Sequence, residues 1–229
     1  KGLREFKLKH NPAAEVRAIE GGSVPRDRAL SVDELRAFWQ RINEPDERFG
    51  PLLRFYLLTG GQRFQQVARA KISDISEESL VLWDSKGRRK QPRRHVVPLL
   101  PEVYEALDQM ADPRIGDYVV TLTHGQTPAD QSSVSNAVKR IARAMIEAGE
   151  AAGSFTLGDL RRTVETRLAA LKVPLEVRAH IQSHGMGGIQ ARHYDRHDYA
   201  EEKREALERL RGLMAKTPAT VRQLPGTRA

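Results

Sequence analysis

FTLGDLRRTVETRLAALKVPLEVRAHIQSH, residues 155–184, decides how this chain is read. Within it, 157–171 sets Leu160, Val164, Leu168 and Leu171 at helical spacing, so one face of a helix turns inward. Pro174 suits the opening of a second helix, because it lacks an N–H that would be unpaired there. That helix is expected to run to His180 or Ile181, before Gly185, Gly187 and Gly188 break the chain. Arg161 and Arg162 fall in the first turn of the first helix, where free backbone N–H groups also favour an anion. One of the two is expected to pair with Asp159 or Glu165, which leaves one to face a site.

Working outward, the elements are mostly helical. Ser31 and Glu34 form a capping box ahead of Leu35, Phe38, Trp39 and Ile42. Pro51 opens a helix that stops at Thr59-Gly60-Gly61, and a short helix from about Gln62 carries Val67 and Ala68 inward. SLVLW (79–83) and HVVPL (95–99) read as the strands of a β-hairpin joined by a long basic turn. Pro101 opens a helix through Met110, and YVVTL (118–122) is either a short strand or a buried apolar segment. Val134, Val138, Ile141 and Met145 mark a helix after Ser132-Ser133. A last helix, 201–213, places Leu207, Leu210 and Leu213 on one face. The fold class expected is mainly α with a small antiparallel β-sheet.

The chain of 229 residues carries a net charge of +8, which favours a polyanionic partner. It has no cysteine, which excludes disulfides, thiolate catalysis and cysteine metal sites. No apolar run approaches a membrane span. Aromatic residues are only 6%, too few for a single-strand binder built on stacked aromatic platforms. Basic groups stand at element edges: Arg63 after the Gly-Gly break, Lys86 on the hairpin, Arg161 and Arg162 at a helix start, His184 before the glycines. HYDRHDY (193–199) adds two tyrosines and two histidines. Cations gathered from separate elements beside a tyrosine suit attack on a phosphodiester, with planar guanidinium groups on the non-bridging oxygens. Taken singly, each has a plainer reading: a salt-bridging arginine, a solvated lysine, a helix-end histidine, a polar loop.

In this order the segments resemble the catalytic domain of the tyrosine recombinase or phage integrase family. LLTGGQRFQQV (57–67) is similar to its first arginine box, a Thr-Gly turn followed by Arg and usually Glu. SKGRRKQPRRHVVPL (85–99) resembles its lysine hairpin, and 155–184 its second box, usually His-x-Leu-Arg-Arg followed by Gly-His. ARHYDRHDYAEEKREALERL (191–210) resembles the nucleophile helix of prophage-type members. The resemblance implies that Arg63 and Arg161 clamp a phosphate and that Lys86 protonates the leaving 5′ oxygen. His184 would donate to the scissile phosphate, and Tyr194 would be the nucleophile, with Tyr199 a packing residue. Arg88, Arg89, Lys90, Arg93, Arg94 and Arg162 would contact DNA. The reaction implied needs no metal, cofactor or ATP, because a phosphotyrosyl bond conserves the energy of the bond broken.

The resemblance further implies a linker at 1–28 from an N-terminal DNA-binding domain, a catalytic domain at 29–213 and a flexible tail at 214–229. Implied partners are duplex attachment sites, other protomers in a tetramer, and DNA-bending and directionality factors, for a bacterial or phage-encoded protein of the cytoplasm. Two positions depart from the pattern. Gly158 stands where the second box usually begins with His, a loss for which His193, His197 or a water could substitute; Gln66 stands in place of Glu. The alternatives are therefore a recombinase-like DNA binder with impaired catalysis, a type IB topoisomerase, and a basic helical module for RNA or acidic proteins.

Overall fold

The computed structural model describes residues 27–84, 92–184 and 197–216. Along these the elements are α1 (Val32–Arg41), α2 (Gly50–Leu58), α3 (Phe64–Val67), β1 (Ser79–Asp84), β2 (Arg93–Pro98), α4 (Pro101–Met110), α5 (Gln131–Glu147), α6 (Leu157–Ala170), α7 (Leu175–Ile181) and α8 (Ala200–Ala215). The expected class holds: helices packed around one antiparallel hairpin, with Ser79 opposite Pro98 and Asp84 opposite Arg93. Leu80, Leu82 and Asp84 face inward along β1, whereas Trp83 stays 53% exposed, so the pleat assigns alternate residues to core and surface.

Helix starts follow local chemistry. Ser31 Oγ accepts from Glu34 N–H at 3.1 Å, and the Glu34 carboxylate accepts from Ser31 N–H at 2.7 Å, which satisfies two otherwise orphan donors of α1. Glu34 also takes Arg28 and the N–H of Ala152, so it ties α1 to the loop before α6. Asp130 caps α5, one turn earlier than Ser132-Ser133 suggested. Thr156 and Asp159 make the capping box of α6.

One continuous core joins the layers. Leu35 and Phe38 of α1 and Ile42 just after it share a cluster with Phe155, with Phe38 and Phe155 edge to face at 5.6 Å. Fully burying such a ring stabilises by roughly 1.5–3 kcal/mol. The segment 118–122 is the buried alternative rather than a strand: Val119 and Val120 are in the core, tied by single backbone bonds to Ala70 and Ala129. In α8 the inward face is Leu207, Leu210 and Met214, not Leu213, because a 3.6-residue period brings 214 under 207. Met214 therefore belongs to the domain, and the tail cannot begin at 214 as expected. Arg28 likewise belongs to the domain rather than to the linker, through its ion pair with Glu34 at 2.5 Å.

Candidate active site

The site begins at a sharp turn. Gly60 and Gly61 have φ of +83° and +64°, a region that penalises side chains. A Cβ on Gly60 would lie 2.4 Å from Ile181 Cγ2, and one on Gly61 would lie 3.1 Å from the Arg161 backbone. The two glycines thus let the end of α2 approach both α6 and α7. Gln62, expected to open a helix, is instead a buried strut: its Nε2 donates to Thr59 O and Ile181 O, and its Oε1 meets His95 Nε2 at 3.1 Å. Gln182 answers from the other side, donating to Gly60 O and Arg161 O.

Arg161 is fixed by this packing. Its Nη1 donates to Gly61 O at 2.6 Å, and its Nη2 donates to Gln182 O at 2.5 Å. Burial draws its pKa down to about 10; the Tyr56 phenol partly offsets this, and Arg63 adds to it. It still carries its charge at neutral pH. Arg161 Nη2 also lies 3.2 Å from His184 Nε2. A guanidinium can only donate, so Nε2 accepts and a neutral His184 keeps its proton on Nδ1.

Arg63 is held by charge. Its Nη1 lies 3.3 Å from Asp84 Oδ2 and 3.4 Å from Ser183 O. Asp84, only 3% exposed, also accepts from Ser183 Oγ at 2.8 Å and from Gln66 Nε2 at 2.8 Å, and lies 3.6 Å from Arg93. Arg63 and Arg161 line one cleft of about 960 Å³, which also holds Tyr56, Trp83 and Gly158. A Cβ on Gly158 would meet only Thr156 Oγ1, at 3.7 Å, so the cleft has room for a side chain there.

Other expected site residues are placed differently. Arg162 pairs with Asp159 at 2.6 Å and donates to Arg28 O. Glu165 pairs with Arg178 instead. Arg93, expected on DNA, turns inward to Ser183 Oγ and Asp84, because it is the register partner of a buried carboxylate. Arg94 is exposed opposite Trp83. His197 lies 2.6 Å from Glu202 and contacts the Tyr199 ring. Tyr199 packs on the core and stacks on His180 with ring centres 4.3 Å apart, as a packing residue should. Lys86, Arg88, Arg89, Lys90, His193 and Tyr194 lie outside the described residues.

Asp84, Ser183 and Gln62 were not among the candidates. A signal for Asp84 existed: it continues the inward series Leu80, Leu82. Ser183 had none, because its position depends on a residue with φ of 53° at the end of α7.

Helices around one hairpin, with arginines from a Gly-Gly turn and from a helix start in one cleft, define the catalytic-domain fold of tyrosine recombinases. The chain belongs to the phage integrase family, whose sequence pattern matches residues 28–201. The integrase from mycobacterium phage Brujita aligns with a TM-score of 0.56 at 23% identity, covering 97% of this chain and 69% of that one. A lambda integrase dimer bound to a COC' core site aligns at 0.53 and 21% identity, covering 86% and 70%. XerA recombinase aligns at 0.52 and 17% identity, covering 94% and 81%. At these identities the structural likeness is one of fold. No curated protein matches the sequence.

Proposed function

We propose that this chain is the catalytic part of a site-specific DNA recombinase that integrates or excises a prophage or genomic island. The observation that carries the reading is the meeting of Arg63 and Arg161 in one cleft, with His184 bonded to Arg161. Two guanidinium groups and the start of α6 concentrate positive charge where a phosphodiester would become pentavalent. In this reading Tyr194 Oη attacks the phosphorus, and a 3′-phosphotyrosyl bond forms as the 5′ oxygen leaves with a proton from Lys86. A 5′ hydroxyl of another strand reverses the step. His184 donates to a non-bridging oxygen.

The tyrosine proton needs an acceptor, because Gly158 supplies none. A water above Gly158, His193 or His197 fills that role in this scheme; His197 would have to leave Glu202 to do so. Protomers would meet as a tetramer on two duplexes, with a preceding DNA-binding domain closing a clamp and bending or directionality factors acting beside them. Arg88, Arg89, Lys90 and Arg94 would contact phosphates, which set affinity and register.

The test is covalent trapping on a nicked duplex carrying the candidate attachment site, read on a denaturing gel. The expected adduct forms in chelator, is lost in Tyr194→Phe and persists in Tyr199→Phe. Duplex binding without any adduct would instead support the impaired-catalysis reading, which Gly158 favours.

A further inference from the structure

Arg63 and Arg161 are like charges in one cleft, and Arg93 adds a third nearby. Such a cluster is unfavourable until an anion arrives, unless a carboxylate offsets it. The family pattern puts a Glu at position 66, where this chain has Gln. Asp84, at the end of β1, sends Oδ2 to within 3.3 Å of Arg63 and 3.6 Å of Arg93, and its Oδ1 accepts from Gln66 at 2.8 Å. A Glu at 66 would set a second carboxylate against Asp84, and two carboxylates at that distance cannot both stay ionised. An amide is the near-isosteric group that donates there. The opposite orientation of the amide would point Gln66 Oε1 at a carboxylate oxygen, so the donor assignment follows from charge. Gln66 Oε1 has no hydrogen-bond partner among the described residues, so its bond to Asp84 is what holds that side chain.

Resting on the recombinase reading above, we infer that Asp84 is the positioning residue for Arg63, with the Gln66 amide as the neutral donor that holds the carboxylate in place. The arrangement also reaches His184. Asp84 accepts from Ser183 Oγ, which in turn accepts from Arg93 at 2.5 Å, and Ser183 immediately precedes His184. One buried carboxylate thereby joins α3, both strands of the hairpin and the turn after α7. It touches no substrate in this scheme. It sets where Arg63 waits, and a scissile phosphate would share that guanidinium rather than find it collapsed elsewhere.

The experiment compares wild type, Asp84→Asn, Gln66→Glu and the double variant. Guanidinium rotation of Arg63, followed by 15N and 13C NMR and assigned through Arg63→Lys, is read beside melting temperature and single-turnover adduct formation. Wild type should show a restricted Arg63 signal. Asp84→Asn should free it and slow adduct formation by about 10²-fold, the scale of a 1 Å misplacement. Gln66→Glu alone should slow the reaction too. The double variant returns one carboxylate to the corner, and should restore the restricted signal and recover at least about tenfold in rate over Asp84→Asn. A folded Asp84→Asn with an unchanged Arg63 signal overturns the inference. So does a folded double variant with Arg63 still mobile. If Asp84→Asn does not fold, the double variant decides alone, and its failure to fold also counts against the inference. A wild type that forms no adduct while Arg63 responds as described sinks the recombinase reading and leaves the positioning role standing.

Discussion

The start of α6 and the corner between α3 and β1 each present an arginine to the same cleft, by different means. Arg161 is half-buried and gives its donors to Gly61 O and Gln182 O, which are neutral dipoles of the backbone. Arg63, also half-buried, leans on the Asp84 carboxylate at 3.3 Å. Backbone carbonyls neither titrate nor exchange partners easily, so Arg161 is set by the fold itself. A carboxylate can be shared with other cations and contested by phosphate, so Arg63 is set by a charge balance. The difference teaches that the two halves of one phosphate clamp can answer to different variables: packing for one, charge for the other.

The sharpest test of that difference is substitution by lysine. Arg161→Lys cannot reach two carbonyls in one plane. Adduct formation should fall by about 10³-fold, and stability by roughly 1–3 kcal/mol as buried carbonyls lose donors. Arg63→Lys keeps a cation beside Asp84 and should cost clearly less in rate and little in melting temperature. Equal losses at the two positions would break the comparison.

Acid should loosen the packed side. Burial, then Lys203 and Arg93, lowers the His95 pKa from 6.5 to about 3, and neutral His95 braces Gln62 behind the Gly-Gly turn. An unfolded chain takes up that proton near 6.5, whereas the folded one resists until about 3. Stability is therefore full above the unfolded value and declines as pH falls through this window, by about 3 kcal/mol near pH 4. The fall of melting temperature with acid should flatten in His95→Gln relative to wild type; a slope equal to that of wild type would remove His95 from the account.

A smaller effect is expected at the helix start. Thr156→Ala removes the cap of α6 and should cost about 1 kcal/mol in thermal unfolding. Its effect on adduct formation should exceed that of an equally destabilising change in α4, because α6 carries Arg161. The smallest change is Gly158→Ala, which should raise stability by roughly 0.5–1 kcal/mol, as its Cβ meets only Thr156 Oγ1, at an ordinary contact distance. Gly158→His tests chemistry at the same place: a faster adduct would show that the proton acceptor is lacking, and no gain would show it is already supplied.

Much of this was legible from local signals. The capping box at Ser31, the Pro openings of α2 and α4 and the β-branched, apolar run of β1 depend on neighbours within a few residues, and such terms survive in any fold that forms the element. The direction of a side chain among several possible partners was less legible. The resemblance implies DNA contacts for Arg93 and Arg162, yet each meets a buried carboxylate, Asp84 and Asp159 respectively. For Arg162 that partner lies three residues away and was already a candidate; for Arg93 it lies across a strand register.

By itself, then, the sequence determined the helices, the hairpin, the order of the boxes and the cationic character of the site, because periodicity, caps and formal charge are properties of the chain. Tertiary structure alone decided that Arg161 rests on neutral carbonyls, that Asp84 stands between Arg63 and Arg93, and that Gln66 suits this chain. Those relations join residues from about 9 to 100 positions apart. A buried charge chooses its partner by distance and desolvation once the core has closed, and neither quantity exists before the chain folds.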